Sequence, residues 1–176
     1  ADYSIEVVGS SLGNNFFKQM LIALVFSFLL MGVMVILYFR VLITSFMVIL
    51  AAFCNIFITL AIFNLTGMKL HPAGIAAFLM LIGYSTDTNI LLTTRVLKKR
   101  IGSLNERIYS SFKTGIFMTI TALLTVLPAF FIITGLPDSF RQIFLILAFG
   151  LSSDIITTWL TNASILKWYA DKKGIR

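Results

Sequence analysis

The sequence is poor in the residues that most chemistry needs. It holds one cysteine (Cys54), one histidine (His71) and three prolines. A lone cysteine excludes an internal disulfide framework. One His with one Cys gives no ligand cluster, so neither a metal nor a cofactor is expected. No nucleophile–base pair, glycine-rich phosphate loop or redox motif occurs, and an enzyme is not expected. Charge is scarce as well, at 12% of residues, where about 25% is usual. The chain opens ADYSIEVVG, without Met and without a basic stretch leading into an apolar one. No secretory leader is visible, and we expect a piece of a longer or processed chain.

What fills the sequence is apolar. Hydrophobic residues make up 59%, with 17 Phe and a mean hydropathy of +0.97. Soluble domains average about 45–50% apolar residues. The composition is that of an all-α, polytopic membrane bundle in a lipid bilayer. The net charge of +7 would point to nucleic acid in a chain without long apolar runs. Long uncharged runs exclude that reading here and make the basic residues topology signals.

A helix needs about 20 apolar residues to cross the hydrocarbon layer. Five stretches qualify, near 19–39, 42–65, 71–94, 114–135 and 142–166. Residues 1–18 are then the end of an external segment, 19–166 the bundle and 167–176 a tail. The third stretch opens at His71-Pro72, where proline suits a first turn. No Gly or Pro marks the turn at Arg40. One set of connections carries Arg40, then Arg95, Lys98, Lys99, Arg100, Arg107 and Lys113, then Lys167, Lys172, Lys173 and Arg176. The other carries only Lys18, Lys69 and Arg141. The positive-inside rule places the first set in the cytoplasm of a cell-membrane protein, with the N-terminus outside and the C-terminus inside. That in turn implies a span upstream of Ala1, so that five spans here are six in the parent chain.

Polar residues within the spans are the candidate functional ones. Positions i, i+3 and i+4 share a helix face. On the third span one face carries Ala73, Ala76, Ala77, Met80, Gly83, Tyr84, Asp87, Leu91 and Thr94. Small residues at this spacing admit a neighbouring helix. Ala76, Ala77 and Gly83 are therefore packing candidates, and Asp87 is expected to face protein rather than lipid. The fifth span repeats the pattern, with Gly150, Asp154, Thr158 and Asn162 in one i+4 row. A central Asp costs about 2.5–3.5 kcal/mol on insertion. An interhelical hydrogen bond returns about 0.6 kcal/mol. Asp87 is thus the first candidate for binding a proton, as in membrane relays, and Asp154 the second, with Tyr84, Asn89, Thr158 and Asn162 as supporting polar groups. The alternative is that both carboxylates only bridge helices. Lys98-Lys99-Arg100 reads as a topology anchor, or as a site for anionic lipid or a ribosome.

The order of motifs resembles the SecF members of the SecD/SecF protein-export family, in their archaeal form. VVGSSLG (7–13) resembles the VGPSLG signature before a first span. IGYSTDTNILLTTRVLKKR (82–100) resembles the family's third-span motif, and DIITTWLTNASIL (154–166) its last span. There are departures. Ser10 stands where many members carry Pro, Asp87 comes one place earlier than the bacterial SecF carboxylate, and Thr94 replaces an acidic residue. Lys113 is the best match to a basic residue near the cytoplasmic start of the fourth span. The resemblance implies a six-span bundle of the resistance-nodulation-division type, with the first span and an external domain upstream. It implies SecD, the SecY channel and a translocating polypeptide as partners, and coupling to the proton-motive force. A scaffold without coupling, and half of a small-molecule exporter of that superfamily, are the competing expectations.

Overall fold

The computed structural model of the chain describes residues 10–98, 102–132 and 137–174. Helix α1 covers Ser10–Phe39, α2 Leu42–Leu65, α3 Pro72–Leu97, α4 Leu104–Ile132 and α5 Asp138–Ile155. A π-helical segment, Ile156–Asn162, follows α5 directly and runs into α6, Ala163–Lys172. The described residues contain five helices long and apolar enough to cross a membrane, the last of them formed by α5, the π segment and α6 together. The all-α reading therefore holds.

Local chemistry sets the helix ends. Arg40 lies between α1 and α2 with φ 54, the left-handed backbone that usually ends a helix at Gly. Its N–H still reaches Ile36 O at 2.9 Å, so the turn is tight without a glycine. Pro72 occupies the first turn of α3, where its missing N–H leaves no bond unmade. Helix α4 begins ten residues before the expected 114, at Leu104. The cause is a capping box. Ser103 N–H donates to Glu106 Oε2 at 3.0 Å, and Glu106 N–H donates to Ser103 Oγ at 3.3 Å. Helix α4 continues through Pro128 to Ile132. The expected closure at 135–137 falls mostly outside the described residues, as do residues 1–9 and Lys99, Arg100 and Arg176.

Helix α3 is the axis of the bundle and packs on α1, α2, α4 and α5. Glycines open two of its contacts. A Cβ on Gly150 of α5 would strike the Leu81 side chain, and one on Gly74 would strike Gln142, Leu70 and Ile146. Gln142, fully buried, fastens the α2–α3 connection. It accepts from His71 N–H at 2.8 Å and donates to Lys69 O at 2.7 Å. At the opposite end, Lys98 Nζ donates to Tyr38 O at 3.3 Å and lies 3.9 Å from the Tyr38 ring centre, which joins α3 to α1.

Two apolar clusters lie toward the ends of the bundle, and a third, of Val35, Phe39 and Val48, joins α1 to α2. Phe63, Ala77, Phe78, Leu81 and Ile146 pack at the end holding Lys69 and Arg141. Met47, Leu92, Val96, Leu104, Trp159, Ala163, Leu166, Tyr169 and Ala170 pack at the end rich in Lys and Arg. Between the two lies a polar layer. Outward faces are apolar, including Leu21, Phe26, Leu29 and Met34 on α1 and Phe117, Leu124 and Phe131 on α4.

Candidate functional site: a carboxylate between two apolar cores

Asp154 sits at the centre of the polar layer, with 0% of its surface exposed. Helix α3 supplies two of its partners. Ser85 Oγ donates to Asp154 Oδ1 at 2.6 Å, and Thr88 Oγ1 donates to Oδ2 at 3.0 Å. One turn on, Thr158 Oγ1 donates to Oδ1 at 3.2 Å. From α2, Asn55 Nδ2 donates to Oδ1 at a long 3.4 Å. Among the described residues no basic side chain pairs with this carboxylate. Every partner is a neutral hydroxyl or amide.

The network extends both ways along the bundle. Toward the Arg141 end, Ser153 Oγ donates to Asn55 Oδ1 and lies 3.3 Å from Thr59 Oγ1. Toward the basic end, Asn162 Nδ2 donates to Asn89 Oδ1, and Asn89 Nδ2 donates to Ser85 O at 2.7 Å. Asn55, Thr59, Ser85, Thr88, Asn89, Ser153, Thr158 and Asn162 are all buried. The magnitudes show what this arrangement achieves. Interhelical bonds contribute about 0.6 kcal/mol each, so the three from Ser85, Thr88 and Asn55, joined by Thr158 of the same span, offset much of the insertion cost of about 2.5–3.5 kcal/mol. The network makes a carboxylate tolerable in the bundle and adds little stability beyond that.

The other sequence candidates lie elsewhere. Asp87 is exposed, and among the described residues it has no hydrogen-bond or ion-pair partner. Ser85 and Thr88 hold Asp154, so Asp154 and Asp87 lie on different sides of the same turn of α3. A Cβ on Gly83 would meet nothing within 4 Å, and Ala76 and Met80 on the same stripe are exposed. Among the described residues the stripe of Ala76, Met80 and Gly83 meets no helix, so the packing expected of Ala76 and Gly83 is not made within them. Ala77, of the same expected face, is buried. Tyr84 does not serve Asp87. Its hydroxyl donates to Thr119 Oγ1 at 3.0 Å, a link from α3 to α4. Lys113 is exposed, and other basic side chains make the contacts at this end. Arg95 Nη1 donates to Ser110 O and Thr114 Oγ1, each at 2.9 Å. Arg107, 4% exposed, donates from Nη1 to Val96 O at 2.9 Å.

Sequence reasoning missed Ser85 and Thr88, the strongest donors to Asp154. Their signal was available, since hydroxyls flanking Asp87 must fall on other faces of α3. It also missed the π segment. Ala163 N–H reaches back five residues to Thr158 O, which widens the turn just past Asp154. Such wide turns occur often at functional sites.

Comparison with known proteins places the chain. The family profile described as protein export membrane protein SecD/SecF, C-terminal, matches residues 1–172. Protein-export membrane protein SecF of Methanolacinia petrolearia is 41% identical over 174 residues, covering 98% of this chain and 61% of the relative. SecF of Methanocaldococcus jannaschii is 42% identical over 171 residues, covering 96% and 61%. SecF of Methanothermobacter thermautotrophicus is 43% identical over 175 residues, covering 97% and 61%. The chain thus spans about three fifths of the length of these archaeal relatives. With the motif order, the five apolar helices and a match across almost its entire length, the chain belongs to the SecD/SecF protein-export membrane family.

Proposed function

We propose that this chain is the membrane bundle of an archaeal-type SecF subunit. It pairs with SecD and assists polypeptide translocation through the Sec channel, driven by protons moving across the membrane. Asp154 is the proton-carrying group. The observation that carries this reading is a wholly buried carboxylate held by neutral donors from three helices, with no cationic partner among the described residues. A carboxylate locked to Arg or Lys stays ionised. One held by rotatable hydroxyls can exist charged or neutral, because each hydroxyl can turn from donating to accepting. A change in helix packing that alters water access then changes the preferred state, which is how proton flow couples to movement.

Asp87 has a different part in this reading. Its stripe of Ala76, Met80 and Gly83 admits a close helix, and a carboxylate in a span needs donors that this chain does not provide. The surface fits SecD, the related subunit of a pseudo-symmetric pair. By the loop charges the basic end faces the cytoplasm.

The test is translocation into vesicles carrying the complete SecD–SecF complex, with and without an imposed pH gradient. Asp154→Asn is expected to assemble and to lose the gradient-dependent part of export. If the variant responds to the gradient as the parent does, Asp154 is structural. A scaffold reading has one observation in its favour, since both Asp154 oxygens already have donors. The same assay decides between the two.

A further inference from the structure

The polar layer is not symmetric about Asp154. On the side of Lys69 and Arg141 its members are closed on one another, through Ser153, Asn55 and Thr59. On the basic side, buried polar atoms are left over. Asn162 Oδ1 has no hydrogen-bond partner among the described residues, although Asn162 is 1% exposed. Trp159 Nε1 has none either, in a residue 9% exposed, and neither does Thr94 Oγ1. All three lie between Asp154 and the basic ends of α3 and α6. Among the described residues no such atom occurs on the other side of Asp154.

Leaving a buried donor or acceptor unpaired costs about 1–3 kcal/mol. Proteins meet that cost with internal water, which needs a polar site and two to four partners. The π segment carries two of the three atoms, Trp159 and Asn162, and its wide turn sets their direction. The Trp159 ring packs against Gly115 of α4, where a Cβ would collide with it, so the indole is fixed on a flat wall. Asn162 is fixed through its amide nitrogen to Asn89, which leaves its carbonyl oxygen as the acceptor. Asn89 in turn reaches Ser85, a donor to Asp154.

We infer that Asp154 is served by water from the basic end of the bundle, along the seam between α3 and the π segment, with Asn162 Oδ1 and Trp159 Nε1 as fixed water partners. The apolar cluster of Phe63, Phe78 and Ile146 closes the other side. This rests on the reading of Asp154 as the proton carrier and names the side from which the proton is exchanged. Asn162 and Trp159 are positioning residues, since they hold water and do not touch the carboxylate.

Hydroxyl-radical footprinting of the unmutated complex in membranes tests the water site. Radicals formed from ordered water oxidise the side chains beside it. Trp159 should be oxidised well beyond what its 9% exposure allows, while Phe63 and Phe78, 2% and 4% exposed, remain intact. Protection of Trp159 to the level of those two residues overturns the inference. Direction is tested with Asn162→Cys in a Cys54→Ser background, using a membrane-impermeant thiol reagent on oriented vesicles. Labelling from the side of the α3–α4 connection supports the route. Labelling only from the Arg141 side, or from neither side in a variant that assembles, overturns it. Where that variant fails to assemble, the footprint decides. Neither measurement uses export, so their failure leaves the gradient test of Asp154→Asn standing, and its failure leaves theirs.

Discussion

Asp87 and Asp154 occupy the same level of the bundle and have opposite surroundings. Asp154 takes donors from three helices and has 0% of its surface exposed. Asp87, one side of α3 away, has none among the described residues. Glycines repeat the contrast. A Cβ on Gly150 would strike Leu81, whereas one on Gly83 would meet nothing within 4 Å. One face of α3 is therefore covered by the chain's own helices, and the stripe of Ala76, Met80 and Gly83 is not, among the described residues. Small residues do not separate the faces, since Ala77 lies on the covered side and Ala76 and Gly83 on the open one. The difference is whether the rest of the chain supplies a helix.

Substitutions that swap the two faces should break this contrast, and the largest effect is expected at the glycines. Gly150→Leu forces a side chain into Leu81 and should cost about 3 kcal/mol or more. Gly83→Leu should leave thermal stability of the isolated chain unchanged while impairing co-purification with SecD. Equal losses of stability would mean that both faces pack within the chain. Next come the carboxylates. Asp154→Leu removes the acceptor for Ser85, Thr88 and Thr158, strands buried groups and should destabilise by about 2 kcal/mol. Asp87→Leu should be neutral or slightly stabilising in detergent, because it removes an unpaired charge from an apolar surface. Thermal unfolding of the two variants side by side checks the difference. At the basic end, Arg107→Ala should cost about 1–2 kcal/mol through its bond to the Val96 carbonyl, and Lys113→Ala should cost nothing measurable. Tyr84→Phe should cost about 0.6 kcal/mol, the value of one interhelical bond. A loss several times larger would mean that Tyr84 serves more than Thr119.

The spans were legible because hydropathy and length alone decide them. The inward row of Asp154, Thr158 and Asn162 was legible too, since one face of a helix is fixed by 3.6-residue spacing. The start of α4 was readable in Ser103 and Glu106 and was passed over, because the apolar run begins later. Gln142 left only a weak signal, a lone amide in the first turn of an apolar span. Spacing identifies which residues share a face and says nothing of which helix covers it, so the Asp87 face read as interior. Nor does spacing announce the π turn at Ile156–Asn162.

Isotope-edited infrared spectroscopy of the intact complex tests most directly that Asp154, and not Asp87, changes its protonation. With carboxyl-labelled aspartate, an imposed pH gradient should produce a carboxylic C=O stretching band that appears and vanishes with the gradient. The account predicts that this band is lost in Asp154→Asn and kept in Asp87→Asn. Loss of the band in Asp87→Asn with its survival in Asp154→Asn would contradict it.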